Sequence, residues 1–139
     1  LLPRKLAVPA TAENVNTMKM QEKAKKAQEA AEKAEAEATA AKLKELTVKF
    51  SEMQARVEAG DKEVCGFKDF HARRLVETAG HIIIAYLLAR QAGDSEEYAD
   101  SAKIFCKLAE GKISEAYTYV MNSTLEDVAL FRAVAEEAE

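Results

Sequence analysis

From Ala12 to Ala59 the chain contains neither glycine nor proline. These are the two residues that most readily break a helix, and the Ala, Glu, Lys and Leu that fill the interval are among the best helix formers. The interval predicts one long helix over residues 12–59, with Thr11 as its N-cap. At 1.5 Å per residue it would extend about 70 Å if unbroken. The same scarcity holds elsewhere. In 139 residues there are five Gly and two Pro, and both prolines fall within the first nine positions. A β-rich chain needs more turn formers than that. The predicted fold is therefore all-α, an antiparallel helical bundle with one long N-terminal helix.

The long helix has two halves. Ala24, Ala27, Ala31, Ala34, Ala38 and Ala41 follow a 3,4 spacing with small side chains, and Leu43, Leu46, Phe50, Met53 and Val57 continue that spacing with large ones. The step from Ala38 to Leu43 turns the stripe by about 140° at roughly 100° per residue. The apolar face thus changes near residue 40, which predicts two packing partners in succession or a local break. The alanine run is read as a close-packed seam in preference to a solvated spacer. Because so long a helix would leave a face uncovered, self-association through residues 24–57 is expected, making the chain a homo-oligomer. Ahead of this helix, residues 1–11 carry Pro3 and Pro9 and predict an extended arm.

Residues 60–139 form the remaining region. Gly60-Asp61 is the expected end of the long helix. A second helix runs from about Lys62 or Phe67 to Ala92. Its apolar residues, including Leu75, Val76 and Ile82-Ile83-Ile84, are spread almost all round it, as in a central helix covered on most sides. Gly80 is read as a site of close approach by a neighbouring helix. Asp94-Ser95-Glu96-Glu97 opens a third helix presenting Tyr98, Ala102, Phe105, Ala109, Ile113, Ala116 and Val120, with Gly111 as a place for a bend. Ser123-x-x-Glu126 matches a capping box for a last helix, with Leu125, Val128, Phe131 and Ala135 facing inward.

Charge and composition exclude several functions. The net charge is −4, and beyond residue 60 nine basic residues meet fifteen acidic ones. No basic face is available to neutralise nucleic-acid phosphates or to hold an anionic membrane. The five glycines are isolated, so no phosphate-binding loop can form. The longest apolar stretch, Ala79–Ala89, is too short for a membrane span of about 20 residues. Cys65 and Cys106 stand 41 positions apart, outside any metal spacing, and are read as reduced thiols in a cytoplasmic protein.

One polar pair merits attention. Glu77 and His81, four residues apart, share a helix side and could serve a metal or acid–base site. A bundle-type di-metal centre uses Glu-x-x-His pairs with two further Glu, and neither that spacing nor a second copy is present. A hydrogen-bonded or interfacial histidine is the plainer reading. Arg73-Arg74 could grip a carboxylate or phosphate, although an ion pair with Asp69 or Glu77 is the more ordinary use. The tyrosines sit at helical spacings as packing residues. No catalytic, cofactor-binding or metal-binding residue is assigned.

Arg74-Leu75-Val76-Glu77-Thr78-Ala79-Gly80-His81-Ile82-Ile83 with Tyr86-Leu87-Leu88, and the segment Tyr98–Phe105 through Ala109-Glu110 to Tyr117–Asn122, resemble the C-terminal helical extension of larger acyl-CoA dehydrogenases. The resemblance covers roughly residues 60–139. It implies a flavoenzyme parent that oxidises an acyl-CoA thioester across Cα–Cβ with FAD and a carboxylate base, as in fatty acid metabolism. The family's base, flavin contacts and CoA contacts belong to upstream domains, so no residue here inherits a catalytic role and no cofactor is expected in this piece. It would act in packing or subunit assembly, with the upstream dehydrogenase domains as partners. The start at Leu1 rather than Met agrees with a fragment or processed piece. The competing readings are a free-standing helical-bundle adaptor or assembly protein and a small helical metalloenzyme.

Overall fold

The computed structural model describes residues 11–138. The expected arm over residues 1–11 lies, apart from Thr11, outside them. Four helices follow one another: α1 (Ala12–Glu63), α2 (Phe67–Asp94), α3 (Ala99–Asn122) and α4 (Leu125–Ala138), with a single 3₁₀ turn at Glu96–Tyr98 before α3. No strand occurs among the described residues. Thr11 caps α1 as its sequence position predicts, its Oγ1 accepting from the Asn14 N–H at 3.2 Å.

The described residues divide into two compact units, with the boundary between residues 37 and 38. The boundary falls close to the expected change of face near residue 40. In the first unit the described residues are helical throughout from Ala12, and all but Asn14 are exposed. Ala24, Ala27, Ala31 and Ala34 are among them, as is Ala38 just beyond the boundary. Within the first unit, no described residue packs the alanine register into a seam.

The second unit holds the core. Leu43 and Leu46 of α1 meet Ile82 and Ala85 of α2 and Cys106, Ala109 and Ile113 of α3, all buried. Further along, Met53 and Val57 of α1 meet Phe67 of α2, Val120 of α3 and Val128 of α4. The early part of α2 thus pairs with the late part of α1 and the late part of α3, which is antiparallel packing. Polar bonds join the same elements: Lys42 bridges Glu110 at 3.0 Å, the Tyr117 hydroxyl donates to Glu52 at 2.5 Å, and Arg56 donates to the Ser123 carbonyl at 2.8 Å.

Several boundaries differ from the sequence reading, each for a physical reason. Helix α1 does not stop at Gly60-Asp61 but continues to Glu63. Gly60 is buried there because the Phe67 ring occupies the space a Cβ would take. The chain reverses one turn later at Gly66, whose φ of 95° is a left-handed conformation open to glycine. Asp61, still helical, accepts the α2 amide of Lys68 at 3.1 Å. At the other end, Ser123 turns its hydroxyl back to the Tyr119 carbonyl at 2.7 Å. The reciprocal cap of α4 is one residue later, where Asp127 accepts the Thr124 N–H at 2.8 Å.

Helix α2 is not covered on most sides. Val76, Ile83 and Leu87 are 71%, 58% and 53% exposed. With Gly80 they follow a 4,3,4 spacing opposite the buried Thr78, Ile82 and Ala85. The expected close approach at Gly80 has no occupant, since nothing lies within 4 Å of where its Cβ would be. Gly111 is equally open, and α3 continues through it. Phe131 and Ala135, expected to face inward, are exposed, although Phe131 keeps an edge contact with Phe70.

Gly60 and Gly80 should respond oppositely to one substitution. Gly60→Ala drives a methyl into a fully buried ring and should destabilise by about 1–3 kcal/mol through overpacking. Gly80→Ala meets open space and should stabilise by about 1 kcal/mol through helix propensity. Urea denaturation of both variants checks the signs.

Candidate functional site

Glu77 and His81 lie on the side of α2 that faces α3. They border a shallow groove of about 240 Å³ lined also by Arg74, Thr78, Lys112, Glu115, Ala116 and Tyr119. The two side chains do not act as a pair. The Glu77 carboxylate is taken by Arg73, whose Nε donates to it at 2.9 Å, and this hydrogen bond and charge hold the carboxyl below its ordinary range. His81 instead sets Nδ1 2.6 Å from the Glu77 backbone carbonyl. A carbonyl only accepts, so Nδ1 carries the proton. The His81 ring stacks on Phe105 with centroids 6.1 Å apart. The observed geometry is that of a tethered, interfacial histidine.

Arg73 makes the ordinary ion pair expected of it. Arg74 lies over aromatic faces instead, with its guanidinium carbon 3.8 Å from the Tyr119 centroid and 6.0 Å from that of Phe70. This is a cation–π arrangement that keeps the charge in the groove wall. The groove mixes Arg74 and Lys112 with Glu77 and Glu115, and Ala116 is its one small apolar contribution. A flavin needs an apolar slot for its ring system and a cluster of donors for its phosphates; this lining fits neither. Among the described residues no three His, Cys, Asp or Glu side chains are grouped to hold a metal.

The most perturbed group is one that sequence reasoning passed over. His71 is fully buried, and neither ring nitrogen has a hydrogen-bond partner. It is boxed by Phe67, Phe70 and Tyr119 at centroid distances of 4.9, 4.8 and 5.8 Å, all edge-on. Burial, followed by the charges of Arg74 and Arg56, lowers its pKa to about 4, with Asp127 opposing. The ring is therefore neutral at neutral pH and lies outside the groove lining. Its role is to fill the junction of α1, α2, α3 and α4. The signal was available: His71 continues the spacing of Phe67, Leu75, Thr78 and Ile82 along the inner face of α2.

The two thiols differ in exposure and form no disulfide. Cys65 is exposed in the α1–α2 turn and Cys106 is buried, both unpaired, and burial raises the Cys106 pKa. No described helix is long and apolar enough to cross a membrane.

His71 yields a pH prediction. Its pKa in the folded chain is below the unfolded value of 6.5, so the unfolded state binds the extra proton between pH 6.5 and 4. Stability should be complete above about pH 6.5 and fall as the pH drops toward 4, by on the order of 3 kcal/mol in total. His71→Leu should flatten that part of the curve, measured by denaturant unfolding at a series of pH values. An unchanged slope would contradict the assignment.

The sequence matches the family model described as Acyl-CoA dehydrogenase C terminal over residues 15–128. No match was found among curated proteins, and none among solved structures.

Proposed function

The chain belongs to the acyl-CoA dehydrogenase C-terminal family, and on that basis we propose that it is the non-catalytic helical domain of an FAD-dependent acyl-CoA dehydrogenase, acting in packing and subunit assembly. The family match reaches from Val15 to Val128 and so takes in the long helix as well as the bundle. In this reading the flavin, the catalytic carboxylate and the acyl-CoA site belong to upstream domains of the parent chain. Fatty acid oxidation is then the parent's pathway, and two unpaired thiols suit a cytoplasmic setting.

One observation carries the packing role. On the outer stripe of α2, Val76, Ile83 and Leu87 are apolar and exposed, with the half-buried Gly80 between them and Ile84 beside them. The stripe lies directly opposite the core face, so the bundle itself cannot cover it. Contiguous exposed apolar surface of this kind marks a contact with another folded body. Gly80, with open space above it, allows a partner backbone to come close. The occupant in this reading is the upstream dehydrogenase body.

The test uses Ile83→Asp and Leu87→Lys. Both side chains are exposed, so the isolated chain should keep its stability within about 0.5 kcal/mol. In the full-length product of the gene the same changes should release the domain, read as new protease sensitivity of α2 and loss of the native oligomer. Full-length protein unaffected by either change would overturn the docking surface. A gene product with no further segment would favour the free-standing adaptor. The isolated chain should bind no flavin in equilibrium dialysis; stoichiometric binding would contradict the non-catalytic reading.

A further inference from the structure

The first half of α1 combines an uncovered face with a distinctive arrangement of charge. Residues 19–26 hold Lys19, Lys23, Lys25 and Lys26 against one Glu22, a net +3. Residues 29–37 hold Glu29, Glu32, Glu35 and Glu37 against one Lys33, a net −3. Two adjacent blocks of equal and opposite charge thus occupy one continuous exposed helix. Between the blocks runs the face Met20, Ala24, Ala27, Ala31, Ala34 and Ala38, with Met20 71% exposed.

We propose that this segment pairs with the same segment of a second copy, antiparallel, about a two-fold axis at residue 29. The proposal deepens the assembly role above and rests on it.

The charge pattern selects both the partner and the direction. A parallel pair would set basic on basic and acidic on acidic. An antiparallel pair crossing at residue 29 sets each copy's basic block against the other's acidic block. The apolar face chooses the same centre. With the axis at residue 29, Ala27 meets Ala31 of the partner copy, Ala24 meets its Ala34, and Met20 meets its Ala38. Each contact occurs twice by symmetry, as an isologous interface requires. The flanking Lys23 then comes beside the other copy's Glu37. Small side chains allow the two axes to approach closely, which brings the flanking charges within the Debye length of about 8 Å at physiological salt.

Two reversed variants test the pairing in the 139-residue chain. One carries Lys→Glu at 19, 23, 25 and 26; the other carries Glu→Lys at 29, 32, 35 and 37. All eight positions are exposed, and Lys and Glu have similar helix propensity, so the helix should survive. Sedimentation equilibrium should show the wild type dimerising. Each variant alone should associate about tenfold or more weakly, and an equimolar mixture should recover the dimer.

Direction is read by spin-label distances in a Cys65→Ser, Cys106→Ala background. The axial separation between copies should be about 24 Å for Gln21→Cys and about 3 Å for Gln28→Cys. Equal distances at the two sites would mean a parallel pair and overturn the proposal. So would a wild type that stays monomeric at 100 micromolar in low salt, or a dimer indifferent to block reversal (concentrations of roughly this order are ample for a specific contact). A monomeric chain that still docks on the remainder of the full-length product would overturn the pairing and leave the packing role standing.

Discussion

Phe67 occupies the volume that Gly60 leaves by having no Cβ, and the order of the second unit follows from that contact. The ring is fully buried at the first residue of α2, against the last turns of α1. It brings α2 back along α1 and positions His71 one turn later, edge-on to it at 4.9 Å. Arg56 stacks over the same ring at 4.9 Å while holding the Ser123 carbonyl. One close approach therefore links the α1–α2 reversal, the buried histidine and the α3–α4 connection. A burial this complete is sensitive to single methyl groups, because interiors are packed at crystal-like density.

The second unit has a filled inside, and apolar side chains remain exposed on the outer faces of its helices. The inner faces of α1, α2 and α3 meet in two clusters, and His71 is buried between aromatic rings beside the second. Three polar residues of the α2–α3 groove are held by close neighbours: Glu77 by Arg73, His81 by a backbone carbonyl, Arg74 by Tyr119. Such arrangements stabilise and orient helices. Two of the uncovered surfaces, the outer stripe of α2 and the charged alanine face of α1, belong to different compact units and differ in chemistry. One is apolar with a glycine gap, suited to a packed body. The other is small and charge-patterned, suited to a second helix.

Much of this was legible in the sequence. The unbroken 12–59 interval gave the long helix and its Thr11 cap, whereas the step from Ala38 to Leu43 marks neither a break nor a second packed face but the place where buried positions begin. The exact reversal point was not legible, because Gly60 and Gly66 carry the same local signal. A tertiary contact with Phe67 assigned the first to the helix interior and left the second to make the turn. Ser123 and Thr124 posed the same problem, since each begins a plausible capping box. Arg56 and the Tyr119 carbonyl claimed Ser123, so Thr124 became the cap. For α2, periodicity identified apolar positions but could not say which of them this chain covers. His71 was missed because the polar pattern read from α2 was the Glu77–His81 spacing, while the place of His71 in the Phe67–Leu75–Ile82 register went unread.

In the proposed function, the outer stripe of α2 is a contact surface filled in the full-length protein. Hydroxyl-radical footprinting read by mass spectrometry reports it side chain by side chain. Val76, Ile83 and Leu87 should be oxidised readily in the isolated 139-residue chain and strongly protected in the full-length protein. The buried Ile82 should be protected in both. Equal oxidation of Val76, Ile83 and Leu87 in the two forms would contradict the claim.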